Sequence, residues 1–299
     1  MDVVPDQRLT DDGRLRFEPG EGGWPVAPTP LPTPVADSHC HLDMTLDEDR
    51  YGPPAPLSLA LDAATAVGVD RVVQIGCDIE GANWAVGAAE RDRRVVAGVA
   101  LHPNEVPRLA ERQVLSAAFD TIEQLAQHPR VRAIGETGLD YFRTGVSGRS
   151  VQEESFRWHI DLAKRTGKAL VIHDRDAHDD VVRVLLDEGA PQRVVFHCFS
   201  GDASLARTCV DHGWVMSFAG TVTFKSAESI RDGLVAAPLD QLLVETDAPY
   251  LTPTPFRGRP NSCYLIPYTI RTMSQVRGVA VDELCAAIDR TTTRIFGAW

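Results

Sequence analysis

The chain has no apolar run long enough to span a bilayer, for which about 20 residues are needed, no Cys-x-x-Cys pair and no excess of positive charge. The first absence excludes a membrane-spanning helix, and no membrane partner is expected. The second bears on Cys40, Cys77, Cys198, Cys209, Cys263 and Cys285, the only six cysteines in 299 residues. So low a density reads as reduced thiols in a cytoplasmic protein, not as a disulfide framework. The third follows from a formal net charge of −12. A global basic face for wrapping nucleic acid is missing, which argues against a DNA-binding scaffold. It leaves room for an enzyme that handles phosphate with metal ions and a few local arginines. The segment Met1 to Asp6 is acidic and has no apolar core, so no signal peptide is visible. No fixed-period repeat appears, and the only biased tract is a proline-rich lead.

What is present is ordinary for a soluble enzyme with a large core: 43% hydrophobic and 24% charged residues. Residues 1–34 read as an extension. Asp11-Asp12-Gly13 and Gly20-Glu21-Gly22-Gly23 are turn-like, and Pro25 to Pro34 carries five prolines, which favours extended backbone that wraps over the rest or stays loose. From Val35 to the C-terminus at 299 the pattern alternates. Short β-branched runs lie near 35–38, 71–76, 95–101, 131–135, 169–172, 193–197, 213–218 and 241–245. Apolar runs this continuous suit strands buried on both faces of a parallel sheet. Between them lie helix-like stretches at 57–67, 152–165, 178–188 and 202–212, with Phe156, Ile160 and Ala163 on one face. Repeated βαβ units make the chain α/β, and eight of them fit a single (β/α)8 TIM barrel. An open doubly wound sheet is the competitor.

The polar residues fall at the strand ends. His39 and His41 close the first run, and residues i and i+2 of a strand point to one side, about 6.6 Å apart. Glu136 closes the fourth run, His173 the fifth, His197 the sixth and Asp247 the eighth. In a TIM barrel the C-terminal ends of the strands build the active site. Four imidazoles and two carboxylates thereby converge, enough for two divalent ions if Glu136 bridges them. Nitrogen and oxygen donors suit zinc, manganese or iron and, less comfortably, Mg²⁺. A lone strand-end histidine is more often hydrogen-bonded than ligating, but a set of six at one end is poorly explained by chance. His128, His159, His178 and His212 fall in helical or helix-end stretches and read as solvated or structural. Asp43 reads either as support for the ligands or as a loop cap.

Five segments carry a resemblance: Asp37-Ser38-His39-Cys40-His41-Leu42-Asp43, Gly135-Glu136-Thr137-Gly138-Leu139-Asp140-Tyr141, Ile172-His173-Asp174-Arg175, Phe196-His197-Cys198-Phe199-Ser200-Gly201 and Glu245-Thr246-Asp247-Ala248-Pro249-Tyr250-Leu251. In this order, over roughly residues 36–299, they resemble the TatD family of metal-dependent deoxyribonucleases within the amidohydrolase-like barrels. The resemblance implies the same barrel, metal roles for the six residues, and phosphodiester hydrolysis, often exonucleolytic on single-stranded DNA. It also matches His102, in Leu101-His102-Pro103, to a histidine expected to meet substrate. One segment departs. The family's Arg-Gly-Lys-x-Asn-Glu-Pro is here Arg257-Gly258-Arg259-Pro260-Asn261-Ser262-Cys263, so Arg257 and Asn261 match but the following Glu and Pro do not.

The expected chemistry is attack on phosphorus by a metal-activated water, with Asp247 as ligand and general base beside Glu136. Arg175, Lys225, Arg257 and Asn261 are the expected substrate contacts, with rim salt bridges as the alternative reading for the cations. The substrate is expected to be nucleic acid, and no stable protein partner is inferred. Two rivals remain. One is an amidohydrolase-type enzyme cleaving a C–N or ester bond, for which a bridging lysine at the fourth strand is common where this chain has Glu136. The other is a non-catalytic barrel, against which the full ligand set argues.

Overall fold

A computed structural model describes residue 20 and residues 23–45 and 57–299. The acidic N-terminus and the turn at 11–13 lie outside those residues, as does part of the turn at 20–23. Eight strands form one sheet: β1 (Val35–Cys40), β2 (Val69–Gly76), β3 (Val95–Val99), β4 (Val131–Asp140), β5 (Ala169–Arg175), β6 (Val194–Phe196), β7 (Val215–Phe218) and β8 (Leu242–Val244). They are ordered β1 to β8 in sequence and each pair is parallel. The seam between the last strand and the first is laced. Ser38 Oγ donates to the Val244 carbonyl at 2.9 Å, the Asp247 amide to His39 O at 3.0 Å and the His41 amide to Ala248 O at 2.8 Å. The sheet is therefore a nearly closed barrel, and the open-sheet alternative falls.

The helices are α1 (Leu42–Thr45), α2 (Leu57–Ala66), α3 (Ile79–Arg91), α4 (Val106–Glu111), α5 (Leu115–Ala126), α6 (Val146–Thr166), α7 (His178–Glu188), α8 (Ala203–Asp211), α9 (Glu228–Ala236), α10 (Ile266–Arg277) and α11 (Val281–Phe296). Local chemistry sets several of their ends. Asp78 caps α3 by accepting the Gly81 amide, and Asp202 caps α8 by accepting those of Ser204 and Leu205. Gly167 ends α6 in the left-handed region, where a side chain is disfavoured.

Inside the barrel, Val73, Ile75, Val96, Ala133, Ala169, Val171, Val195, Val215 and Leu243 pack together with Ile295 and Phe296 of α11. The C-terminal tail sits at the strands' N-terminal end. Trp299 Nε1 donates to Arg94 O, just before β3, and Arg193, just before β6, donates to Ile295 O. That end is plugged, and the other end is left for chemistry.

Three strand ends differ from the sequence reading. β4 runs four residues past Glu136, and β5 two past His173. Between the pairs Ile134–Leu170 and Thr137–Ile172, β4 advances one residue more than β5. That irregularity re-aims Glu136 and lets an arm of β4 and β5 project beyond the barrel. Gly138 permits the close approach in that arm: its φ is +139°, and a Cβ there would overlap the His173 carbonyl. Asp247 lies three residues past β8, in the left-handed region at φ 54°.

The described part of the proline-rich lead is strapped to the barrel wall. Trp24 and Leu31 are buried. Pro25 O accepts from the Tyr264 hydroxyl at 2.7 Å, Thr29 O from Arg271 at 2.6 Å, and Leu31 donates its amide to Val67 O at 3.0 Å.

Candidate metal centre

The barrel brings the six predicted ligands together around Glu136, whose two oxygens face different partners. On the Oε2 side, His39 Nε2 is 3.4 Å away and His41 Nε2 3.9 Å. Those two nitrogens are 3.3 Å apart. Asp247 Oδ1 joins them, 3.4 Å from His41 Nε2 and 3.8 Å from His39 Nε2. On the Oε1 side lie His173 Nδ1 at 2.5 Å, His197 Nε2 at 2.8 Å and His102 Nε2 at 3.5 Å. His39, His41, Glu136 and His197 are all buried.

Charge is matched to this burial. Desolvation alone would raise the Glu136 carboxyl, but the imidazoles of His197, His102 and His173 outweigh it and hold the group well below its usual range. Asp247 behaves alike: burial raises it, and His41, His197 and His39 bring it down. Both carboxylates are therefore anionic. Burial pushes His39 and His102 down, whereas for His41, His173 and His197 burial is outweighed by the anionic groups beside them, which raise these rings.

The far nitrogen of most rings is tied, which fixes the one that faces inward. His41 Nδ1 donates to Ile75 O at 3.0 Å. His197 Nδ1 meets Glu245 Oε1 at 3.0 Å, and that oxygen also accepts the Cys198 amide at 2.7 Å. His173 Nε2 meets Asp140 Oδ2 at 3.2 Å. His39 Nδ1 has no hydrogen-bond partner among the described residues. His102 is different. Its Nδ1 accepts the Asn104 amide at 3.1 Å, so the neutral ring carries its proton on Nε2. The face it turns to Glu136 is that of a donor and not of a ligand.

These residues fit a divalent cation by spacing as well as by donor type. Four donors around an ion with bonds of about 2.0–2.1 Å lie about 3.3–3.4 Å from one another when tetrahedral. His39 Nε2 and His41 Nε2 lie 3.3 Å from each other and 3.4–3.9 Å from Glu136 Oε2 and Asp247 Oδ1. Around Oε1 the contacts are of hydrogen-bond length. The set there is Glu136, His173 and His197, with His102 outermost.

The centre opens into a cavity of about 1300 Å³ lined by His102, Arg143, Arg175 and Tyr250, among others. Arg175 lies with its guanidinium 3.9 Å from the centre of the Phe142 ring. The remaining substrate contacts expected from sequence are placed elsewhere. Arg257 stacks 4.1 Å from the Phe224 ring and lines a second cavity of about 610 Å³, which shares Leu251 with the first. Lys225 is exposed and lines neither cavity. Asn261 is fully buried: its amide nitrogen donates to Thr246 O and Tyr250 O, and its oxygen accepts the Ser262 amide. No polar edge of it is left for a ligand. It shapes the loop that carries Asp247.

Sequence reasoning gave no role to Glu245, Asp140 or Asn104. The signal was there in part: Glu245 precedes Asp247 by two residues, and Asp140 follows Glu136 by four, so both repeat with the period of a strand. Asn104, which donates to Asp140 Oδ2 at 2.9 Å, had no such signal. The other histidines are structural. His159 is buried, accepting the Leu101 amide and donating to Ser155 O. His178 pairs with Asp174, His128 with Glu90, and His212 stacks on Trp214. Asp43 accepts from Gln74, which in turn accepts the Leu42 amide beside His41.

The profile of a family described as "TatD related DNase" matches residues 36–297. A Mycobacterium tuberculosis protein, "Uncharacterized metal-dependent hydrolase TatD", is 45% identical over 267 residues, which span 88% of this chain and 98% of that one. A Bacillus subtilis protein, "Uncharacterized metal-dependent hydrolase YabD", is 34% identical, over 87% of this chain and 98% of that one. Among solved structures, the Escherichia coli TatD homologue YJJV superposes with a TM-score of 0.78 at 26% identity, covering 89% of this chain and 98% of that chain.

Proposed function

Since the chain belongs to the TatD family of metal-dependent hydrolases, we propose that it is a deoxyribonuclease. It would cleave phosphodiester bonds of single-stranded DNA from a 3′ end, with RNA as an alternative substrate. The observation that carries this reading is the division of Glu136, with Oε2 turned to His39 and His41 and Oε1 to His173 and His197. One shared carboxylate between two donor sets is what a pair of divalent ions requires. His39, His41, Glu136 and Asp247 would hold one ion; Glu136, His173 and His197 would hold the other. Zn²⁺ and Mn²⁺ suit the nitrogen-rich sets, and Mg²⁺ suits them less. When bound, such ions neutralise phosphoryl charge and acidify water.

The chain's own groups supply the rest. The Asp247 carboxylate, partly open to the cavity at 14% exposure and held anionic, takes the proton from the attacking water. Its left-handed backbone aims it there. His102, with its proton on Nε2, donates to a phosphate oxygen. Arg175 offers charge at the mouth. Glu245 and Asp140 keep His197 and His173 from rotating away. A C–N hydrolase is the weaker reading, because the bridging position holds a carboxylate that cannot be carbamylated.

Asp247→Asn keeps the side-chain shape and tolerates the same backbone region. With metal restored, its kcat on single-stranded DNA should fall about 100-fold or more, the usual size of a general-base contribution. Full activity in metal-loaded Asp247→Asn would remove the general-base role. Hydrolysis of a cyclic amide or a carboxylic ester, but not of DNA, by the unmodified protein would overturn the nuclease reading.

A further inference from the structure

Phe142 is 62% exposed, so most of its ring is open to solvent. It sits on the projecting β4 side of the mouth, and Arg175 of β5 covers one of its faces. A second such pair, Arg257 on Phe224, lies beyond β7 and β8 in the neighbouring cavity. In an eight-strand ring the ends of β4 and β5 lie across the mouth from the end of β8. Arg175 lines the cavity that holds Glu136, and the cavity lined by Phe224 and Arg257 shares Leu251 with it. Each pair offers the same chemistry: a flat apolar face backed by a cation. In a chain of net charge −12, such spots are where a polyanion with flat rings is accepted instead of repelled.

We infer that Phe142 with Arg175, and Phe224 with Arg257, are nucleobase-stacking platforms that hold the nucleotides on either side of the cleaved bond. The substrate class is then single-stranded polynucleotide, since only unpaired bases can turn onto such rings. The inference rests on the nuclease reading above and goes beyond it by assigning base contacts, whereas the catalytic groups touch only phosphate and water. Because stacking is blind to hydrogen-bond pattern, the platforms confer affinity with little sequence preference.

The test compares KM for a short single-stranded oligodeoxynucleotide and for an abasic strand of equal length, using the full-length metal-loaded protein. The unmodified protein should prefer the base-bearing strand. Phe142→Ala should raise KM for that strand about 5- to 100-fold, the range expected for losing one stacked base, and bring the ratio of the two KM values towards one. Phe142→Trp should keep the preference. Phe224→Ala should act likewise, and the double variant should combine both losses. Equal KM increases on both strands would mean that Phe142 only shapes its loop, and unchanged KM would mean no contact; either overturns the platforms while leaving the nuclease reading in place. No hydrolysis of any strand by the unmodified protein overturns both.

Discussion

At the scale of single residues, the centre is an exercise in holding charge where water is scarce. Glu136 and Asp247 stay anionic only because imidazoles surround them. His159 shows the opposite case. It has no charged partner, and burial pushes its pKa from 6.5 down to about 4. The unfolded ring takes up a proton near 6.5, so between 6.5 and about 4 the unfolded state binds more protons than the folded one. Stability therefore falls as the pH drops through that window, by roughly 3 kcal/mol in all. Urea unfolding at pH 7 and pH 4.5 isolates this contribution: the unmodified protein should lose more stability, or gain less, between the two than His159→Gln does, by about that amount. An unchanged pH dependence in the variant would assign the acid sensitivity to other groups. None of this was legible in the sequence. A histidine in helix α6 gives no sign that its ring will face the Leu101 amide, because that meeting depends on how α6 packs over β3 and β4.

At the scale of elements, periodicity placed six of the eight strands, and the helices at 57–66, 178–188 and 203–211, to within about two residues, and found the starts but not the ends of β4 and β5. It worked because buried parallel strands are nearly all β-branched and their helices are striped. It failed where hydrogen bonds continue past the apolar run. Thr137-Gly138-Leu139-Asp140 does not look like a strand, yet it pairs with Ile172 to Arg175. The loop after β8 keeps bonding to β1 although its strand has ended. Asn261 follows the same loop: its amide nitrogen donates to the Thr246 and Tyr250 carbonyls, a placement that its position in the sequence does not announce. Gly138 tests the arm. Gly138→Ala places a methyl group against the His173 carbonyl in a backbone region that alanine avoids. The arm should open and move His173, lowering metal content and activity together while the far-ultraviolet circular dichroism of the barrel persists. Normal metal content in soluble Gly138→Ala would show that the arm does not position His173.

At the scale of the whole molecule, the barrel is closed three times over: by the seam between β8 and β1, by the α11 plug, and by the lead that runs across α2 and α10. The barrel itself was legible from the rhythm of the chain. The strap was not, since prolines predict extended backbone without saying where it lies. Its anchor is Trp24, 6% exposed. Trp24→Ala should cost about 3 kcal/mol, the lower end for a buried indole, read as a shift in the urea midpoint with metal affinity retained. A midpoint within error of the unmodified protein would mean that the strap adds nothing to stability.

The divided carboxylate of Glu136 has a thermodynamic corollary. When two binding sites share one side chain, neither has an affinity of its own. On the two-ion reading proposed above, the first ion would orient Glu136 and relieve its hydrogen bonds to His173 and His197, while its charge would work against the second. By reciprocity, whatever factor the first exerts on the second is exerted in return. Loading should therefore depart from two independent isotherms, and titration calorimetry should show linked events that Glu136→Gln abolishes as a pair. Metal availability would then act on this protein as a threshold more than as a dial.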